Sequence, residues 1–259
     1  MFGIYYMTKN SDYHVLMIAG GKGKRLEGNL EGIPKSFLEI RGKKIIDYHL
    51  DILNERGFNK LTIAVGYQKE FFMSTIGNKY KNLSIEYAVV DNYAVTGHGW
   101  GLFLTRPFWN REKRPVIFLH GDIFYDSLIL DKVLNSKYEN VLSADDFYEV
   151  RTGEEVVIQG ENNTVIGIKK GIKRDPKVVG ELIGINKFSS EFMEQFFEYM
   201  DNFFKKNDKI NYEPILDEFI KKRNKNLNYI LSNSLGWVNV NYKKDYERAE
   251  KEVYPLIYN

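Results

Sequence analysis

The chain has 259 residues, 43% hydrophobic and 15% aromatic, with 37 basic side chains against 35 acidic ones and no cysteine. That balance leaves no general nucleic-acid footprint, and the missing thiols exclude disulfides, thiolate nucleophiles and cysteine-bound zinc. No apolar run approaches the ~20 residues that cross a bilayer, and Met1 to Tyr13 lacks the order of a signal peptide, so a cytoplasmic protein with no membrane partner is expected, with residues 1–13 as an N-terminal extension of a single domain.

His14-Val15-Leu16-Met17-Ile18-Ala19 is a short continuous apolar run, the pattern of a strand buried on both faces of a parallel sheet. A glycine-rich turn follows. Apolar residues at helical spacing over 45–56, stopped by Gly57, predict a helix. Residues 61–65 read as a second strand, 68–76 as a short helix and 85–90 as a third strand. A helix opens near Gly99. Residues 115–119 form a fourth strand closed by His120-Gly121-Asp122, then come a helix over 128–134 and a strand over 140–144. This alternation predicts an α/β fold: a Rossmann-like, mostly parallel mixed sheet flanked by helices. Beyond residue 145 the character changes. Paired strands 155–159 and 165–168 flank Glu161-Asn162-Asn163. A strand over 181–186, helices over 189–204 and 212–222, strands over 227–231 and 237–240 and a closing helix over 243–253 complete the chain.

The most informative stretch follows the first strand directly: Ala19-Gly20-Gly21-Lys22-Gly23-Lys24-Arg25-Leu26, then Pro34-Lys35. The carboxyl end of a strand in a doubly wound sheet is where ligands bind. Glycines there let the backbone approach a phosphate chain and aim N–H groups at it. Lys22, Lys24, Arg25 and Lys35 supply charge for three phosphates, arginine by a bidentate grip and lysine as a point charge. The dinucleotide pattern GxGxxG fails because Leu26 occupies the third glycine, and GxxxxGK[ST] is absent. A Rossmann oxidoreductase is thereby disfavoured. Read alone, the turn could be a solvated loop; its place after strand one, with Pro34-Lys35, favours phosphate.

The whole pattern resembles the signature of the sugar-nucleotidyltransferase superfamily, in which a small-residue strand end leads into G-x-G-[TK]-R and then P-K. Gly42-Lys43-Lys44-Ile45-Ile46-Asp47-Tyr48 is similar to the G-K-P-(L/I)-I-x-Y that follows, with Lys44 in place of proline, and Val65-Gly66-Tyr67 is similar to the end of the second strand. Gly180-Glu181-Leu182-Ile183-Gly184-Ile185, Tyr212-Glu213-Pro214 and Trp237 with Asp245-Tyr246 resemble the choline-phosphate and 2-aminoethylphosphonate cytidylyltransferase branch. The resemblance implies a nucleotide-binding half over 14–145 and a smaller acceptor-binding β/α region over 146–259.

It also implies roles. Arg25, Lys35 and Asp122 would be catalytic, with Arg25 and Lys22 holding the leaving pyrophosphate. Asp122 would bind Mg²⁺ with Asn241, Asn239 being the reserve. As alternatives, Asp122 is a turn aspartate and Asn241 the cap of the closing helix. Asp126 is the better cap for the helix opening at Ser127. Thr96-Gly97-His98 resembles the loop that reads the base, although Val95 replaces the glycine of uridylyltransferases. Asp145, Asp146, Tyr148, Lys170, Glu181 and Trp237 lie where relatives build the acceptor pocket, and their acidic and aromatic character suits a cationic acceptor. CTP is the favoured triphosphate, a small phosphorylated amino compound or phosphonate the favoured acceptor, and surface-glycan or lipid-headgroup decoration the implied setting. A sugar 1-phosphate acceptor and a noncatalytic nucleotide-sensing subunit are the competing readings. Either a monomer or a homodimer is compatible with the composition.

Overall fold

The computed structural model describes residues 9–23, 25–26, 32–146, 153–171, 175–205 and 207–258. Its first strand, β1 (His14–Ile18), is followed by a two-strand ribbon of β2 (Glu39–Ile40) and β3 (Lys43–Lys44) and by helix α1 (Ile45–Glu55). Then come β4 (Lys60–Val65), α2 (Lys69–Ile76), β5 (Lys79–Tyr80), β6 (Leu83–Val89), α3 (His98–Leu104), α4 (Arg106–Trp109), β7 (Val116–His120) and β8 (Ile123–Tyr125). The chain continues through α5 (Ser127–Leu134), β9 (Val141–Asp145), β10 (Val156–Glu161), β11 (Thr164–Lys170), β12 (Val178–Phe188), α6 (Ser190–Phe204) and α7 (Tyr212–Lys222). It closes with β13 (Asn228–Leu231), β14 (Trp237–Asn239), α8 (Lys243–Arg248), a π-helical turn at Ala249–Val253 and α9 (Tyr254–Tyr258).

Ten strands form one mixed sheet in the order β10-β11-β13-β9-β12-β7-β1-β4-β6-β5. The run β7-β1-β4-β6 is parallel, as the strand–helix alternation predicts. Beyond it β12 is antiparallel to both β7 and β9 and carries the second half of the chain. Each face of β1 looks into a different core. Val15 and Met17 pack with Ile46, Leu50 and Leu53 of α1 and with Ile129 and Val133 of α5. Leu16 packs with Phe118 and with Phe192, Phe196, Leu216 and Phe219 of α6 and α7. That double burial explains the unbroken apolar run.

Two helix starts, those of α5 and α6, carry side-chain caps. The Asp126 side chain accepts from Leu128 N at 2.9 Å and Ser189 from Phe192 N at 3.2 Å. The structure adds three details to the sequence reading. The strand at 237–239 pairs with β8 in a separate ribbon rather than joining the main sheet. The closing helix is not uniform, because it ends at Arg248 and resumes at Tyr254 across the π turn. The extension is anchored as far as it is described: Asn10 Nδ2 donates to Arg56 O at 2.8 Å, and Tyr13 packs on Phe58. Among the described residues no helix is long and apolar enough to cross a membrane.

Candidate active site

A cleft of about 340 Å³ opens at the carboxyl ends of β1 and β7. One wall begins at the glycine loop, with Ala19, Gly20, Gly21 and Arg25, and Lys35 enters from the turn that follows Pro34. Asp122 leaves the end of β7, and Asn239 and Asn241 come from β14 and its exit. Backbone hydrogen bonds fix these segments to one another. Gly121 N donates to Ile18 O at 2.9 Å and Val240 N to Asp122 O at 2.9 Å.

Their side chains meet. Lys35 Nζ donates to Asp122 Oδ2 at 2.8 Å and also to Asn241 Oδ1. Arg25 Nη2 donates to the same Asn241 oxygen at 3.0 Å, Arg25 Nη1 donates to the Tyr242 hydroxyl at 3.2 Å, and Arg25 pairs with Glu154. Burial pushes the Asp122 carboxyl up, but the Lys35 ammonium, with His120 behind it, outweighs that and holds it below its ordinary value. Asn241 does not cap α8. Tyr242 is the cap residue, and the Asn241 side chain points at the two cations. The Asn239 Oδ1 is buried and has no hydrogen-bond partner among the described residues. One carboxylate and two amide oxygens make a hard-donor set suited to a magnesium ion that takes its other ligands from phosphate and water. No group of three or more His, Asp or Glu gathers as a metal cage among the described residues.

Gly121 lets the two loops approach. A Cβ there would lie 2.9 Å from Ala19 Cβ, 3.0 Å from Ile18 O and 3.2 Å from Ser36 Oγ. Gly121→Ala is expected to push Asp122 away from the glycine loop. Activity should fall at least ~10-fold, with a stability loss of about 1–3 kcal/mol from overpacking. Pyrophosphate release beside thermal melting checks this, and a variant with unchanged turnover would mean the spacing is not critical.

Not every predicted residue reaches the cleft. Lys22 lies over the Tyr67 ring, 5.7 Å from its centroid. Gly97 and Gly99 press against the backbone of residues 209–212, which gives both glycines a packing reason. The Thr96 hydroxyl donates to Asn92 O at 3.1 Å, within its own turn. Asp146 accepts from the Ser232 hydroxyl at 3.3 Å and from Asn233 N at 3.2 Å, a loop-fastening role. Lys24 and Tyr148 lie outside the described residues. His98, Asp145, Lys170, Glu181 and Trp237 all line the cleft. Strand alternation separates Lys170 from Lys169, which turns away to pair with Asp217 at 3.0 Å.

Several lining residues were given no site role by the sequence, among them Glu213, Asn211, Glu155 and Tyr242. His98 Nε2 lies 3.4 Å from Glu213 Oε2, and His120 Nε2 shares a hydrogen bond of 3.0 Å with the Tyr212 hydroxyl. Glu213 did leave a signal: it sits three and seven residues before Leu216 and Ile220, on the apolar stripe of α7. Burial pushes its carboxyl up to about 7, and burial presses His98 down to about 4. A carboxyl raised in this way binds its proton more tightly folded than unfolded. Stability is therefore lost as pH climbs from the ordinary value of 4.5 through about 7. Glu213→Gln is expected to remove that slope, on the order of 2 kcal/mol. Urea midpoints measured from about pH 4 to about pH 8 test the sign, and parallel curves for the two proteins would count against it.

Comparison with known proteins gives four findings. The family model described as "Nucleotidyl transferase" matches residues 14–158. The chain is 23% identical over 244 residues to D-glycero-alpha-D-manno-heptose 1-phosphate guanylyltransferase of Aneurinibacillus thermoaerophilus, spanning 92% of this chain and 97% of the relative. It is 26% identical over 203 residues to CTP:phosphoglutamine cytidylyltransferase of Campylobacter jejuni, 73% of this chain and 79% of the relative. Its fold is that of the solved CTP:phosphocholine cytidylyltransferase of Streptococcus pneumoniae, with a TM-score of 0.70 at 21% identity over 92% of this chain and 97% of that one.

Proposed function

Because the chain belongs to the nucleotidyl transferase family, we propose that it moves the cytidylyl group of CTP onto a small phosphorylated amino compound or phosphonate and releases pyrophosphate. The observation that carries this reading is that Arg25, Lys35 and Asp122 line the same cleft as Asp145, Glu181 and Trp237. The first group suits a triphosphate. The second, acidic and aromatic, suits a cationic acceptor.

In this reading an oxygen of the acceptor's phosphate or phosphonate attacks the α-phosphorus. The bond from that phosphorus to the β-phosphate's bridging oxygen breaks, and its electron pair leaves with pyrophosphate. The nucleophile is already an anion, so no base has to take a proton. What remains is positioning and charge neutralisation. Arg25 exchanges its contacts with Asn241 and Glu154 for the leaving phosphates, Lys35 steadies the α-phosphoryl group, and Lys170 orients the acceptor phosphate. Asp122, with the amide oxygen of Asn241 or Asn239, would hold a magnesium ion, which supplies charge neutralisation across the phosphate oxygens. The reaction belongs in the cytoplasm.

The guanylyltransferase relative favours a second reading, in which the acceptor is a sugar 1-phosphate. One experiment separates the two: pyrophosphate release with CTP, UTP, GTP or ATP and Mg²⁺, against phosphocholine, phosphoethanolamine, 2-aminoethylphosphonate and several sugar 1-phosphates. CTP with an amine-bearing acceptor supports the first reading. Turnover restricted to sugar 1-phosphates replaces it with the second.

A further inference from the structure

The turn that leaves β4 grips the glycine loop at both of its ends. Tyr67 N donates to Gly20 O at 3.1 Å, where the loop departs from β1. The Tyr67 hydroxyl and the Gln68 side-chain amide both donate to Gly32 O, at 3.2 and 2.8 Å, where the chain returns toward Pro34 and Lys35. Both lone pairs of that carbonyl are thereby used, and the Gln68 amide also reaches the Tyr67 hydroxyl at 3.2 Å. Between the two ends, Lys22 Nζ sits 5.7 Å from the centre of the Tyr67 ring, within cation–π range. Gly66 permits the approach: a Cβ there would lie 2.9 Å from Gly20 O and 2.5 Å from Tyr93 Cβ.

Two further features mark this contact as built. Gln68 holds left-handed backbone, φ 50° and ψ 39°, which costs a residue with a Cβ and which clusters at functional sites. It stands at the N-cap of α2, yet its side chain makes no cap bond to the helix and serves Gly32 and Tyr67 instead. The helix that Gln68 starts then braces the returning chain a second time. The rings of Phe71 and Phe72 lie 5.2 and 4.8 Å from that of Phe37, two residues after Lys35. Lys35 in turn packs on the glycine loop, where a Cβ added to Gly23 would lie 3.2 Å from Lys35 Cγ.

Building on the transferase reading above, we propose that Tyr67 and Gln68 are positioning residues for the triphosphate: with α2 they form a clasp that fixes the glycine loop and the Lys35 turn before the nucleotide arrives. Neither side chain lines the cleft; each acts through Gly20, Lys22 and Gly32. A loop already held in its binding form has less freedom to lose on binding. Loosening the clasp therefore weakens the grip on the phosphate chain and spares the parts of the nucleotide that the loop does not hold.

The test measures Kd by calorimetry, with Mg²⁺, for CTP, UTP, GTP and ATP and for the four matching monophosphates. Tyr67→Phe removes the hydroxyl and keeps the ring beneath Lys22. Gln68→Gly removes the amide and relieves the left-handed backbone, so its melting temperature is expected not to fall. Each variant should weaken the triphosphate that the wild type binds by about 3- to 10-fold, the contribution of one neutral hydrogen bond, and leave its monophosphate nearly unchanged. If Gln68→Gly melts early, Tyr67→Phe decides, because it leaves the backbone untouched. Wild-type triphosphate affinity in the variants, or an equal loss for mono- and triphosphate, would overturn the clasp and leave the transferase reading intact. A wild-type protein that binds none of the four triphosphates would remove that reading and the clasp together.

Discussion

Lys35→Ala should lower kcat by on the order of 10²- to 10³-fold, about 3–4 kcal/mol of transition-state stabilisation, in a protein that still folds. The side chain is 12% exposed and bridges Asp122 and Asn241 from the turn after Pro34. It therefore stands between the carboxylate proposed to hold magnesium and the loop expected to cradle the triphosphate. Its charge is already in place before substrate arrives, so no reorganisation is needed as charge builds on the α-phosphoryl group. The folding cost should be smaller, on the order of 1 kcal/mol, because the Asp122 side chain opens onto the cleft at 26% exposure and water replaces part of what is lost. Lys35→Arg should recover only part of the rate, since a planar fork does not reproduce a compact ammonium. Turnover measured beside thermal melting decides the matter. A folded alanine variant with near-native kcat would remove Lys35 from the reaction.

Asp122→Ala is expected to be as severe, about 10³-fold in kcat/KM, with a second signature. The magnesium concentration for half-maximal rate should rise steeply, because Asn239 and Asn241 would then offer only neutral oxygens. Asp122→Asn should keep the loop geometry and still lose most of the activity, which separates charge from shape. Since Lys35 and Asp122 are in direct contact, the double alanine variant should cost less than the two single losses combined. Unchanged magnesium dependence in a folded Asp122→Ala protein would dismiss the metal role.

Much of the fold was legible because several elements follow one clean period. β1, α1, β4, β7, α6 and α7 fall within a residue or two of where apolar spacing puts them. The ribbons at 39–44 and 79–80 were not, because a two-residue strand has no period to read. β12 extends over Val178–Phe188, beyond the 181–186 that the pattern marks, and Gly180 and Gly184 interrupt its apolar run. Neither the separate β8–β14 ribbon nor the π turn leaves a local mark in the sequence.

The site divides the same way. The glycine loop was readable because its residues are contiguous along the chain. The meeting of Arg25 with Asn241, 216 positions apart, is a product of topology. Gly97 shows the converse. A motif match pointed to the base, yet the fold gives that glycine a packing reason against Ile210.

β12 has a consequence for how new products could arise. Near one end it is hydrogen-bonded to β7, which leads into Asp122, near the other to β10, and at both to β9. Under the proposed function the donor machinery falls within the first 122 residues apart from the amide at Asn241, and the acceptor side falls to the cleft-lining segments 145–181 and 237–248. A selection that randomises only those later segments should therefore recruit unfamiliar acceptors onto an inherited engine, leaving the chemistry of phosphoryl attack untouched.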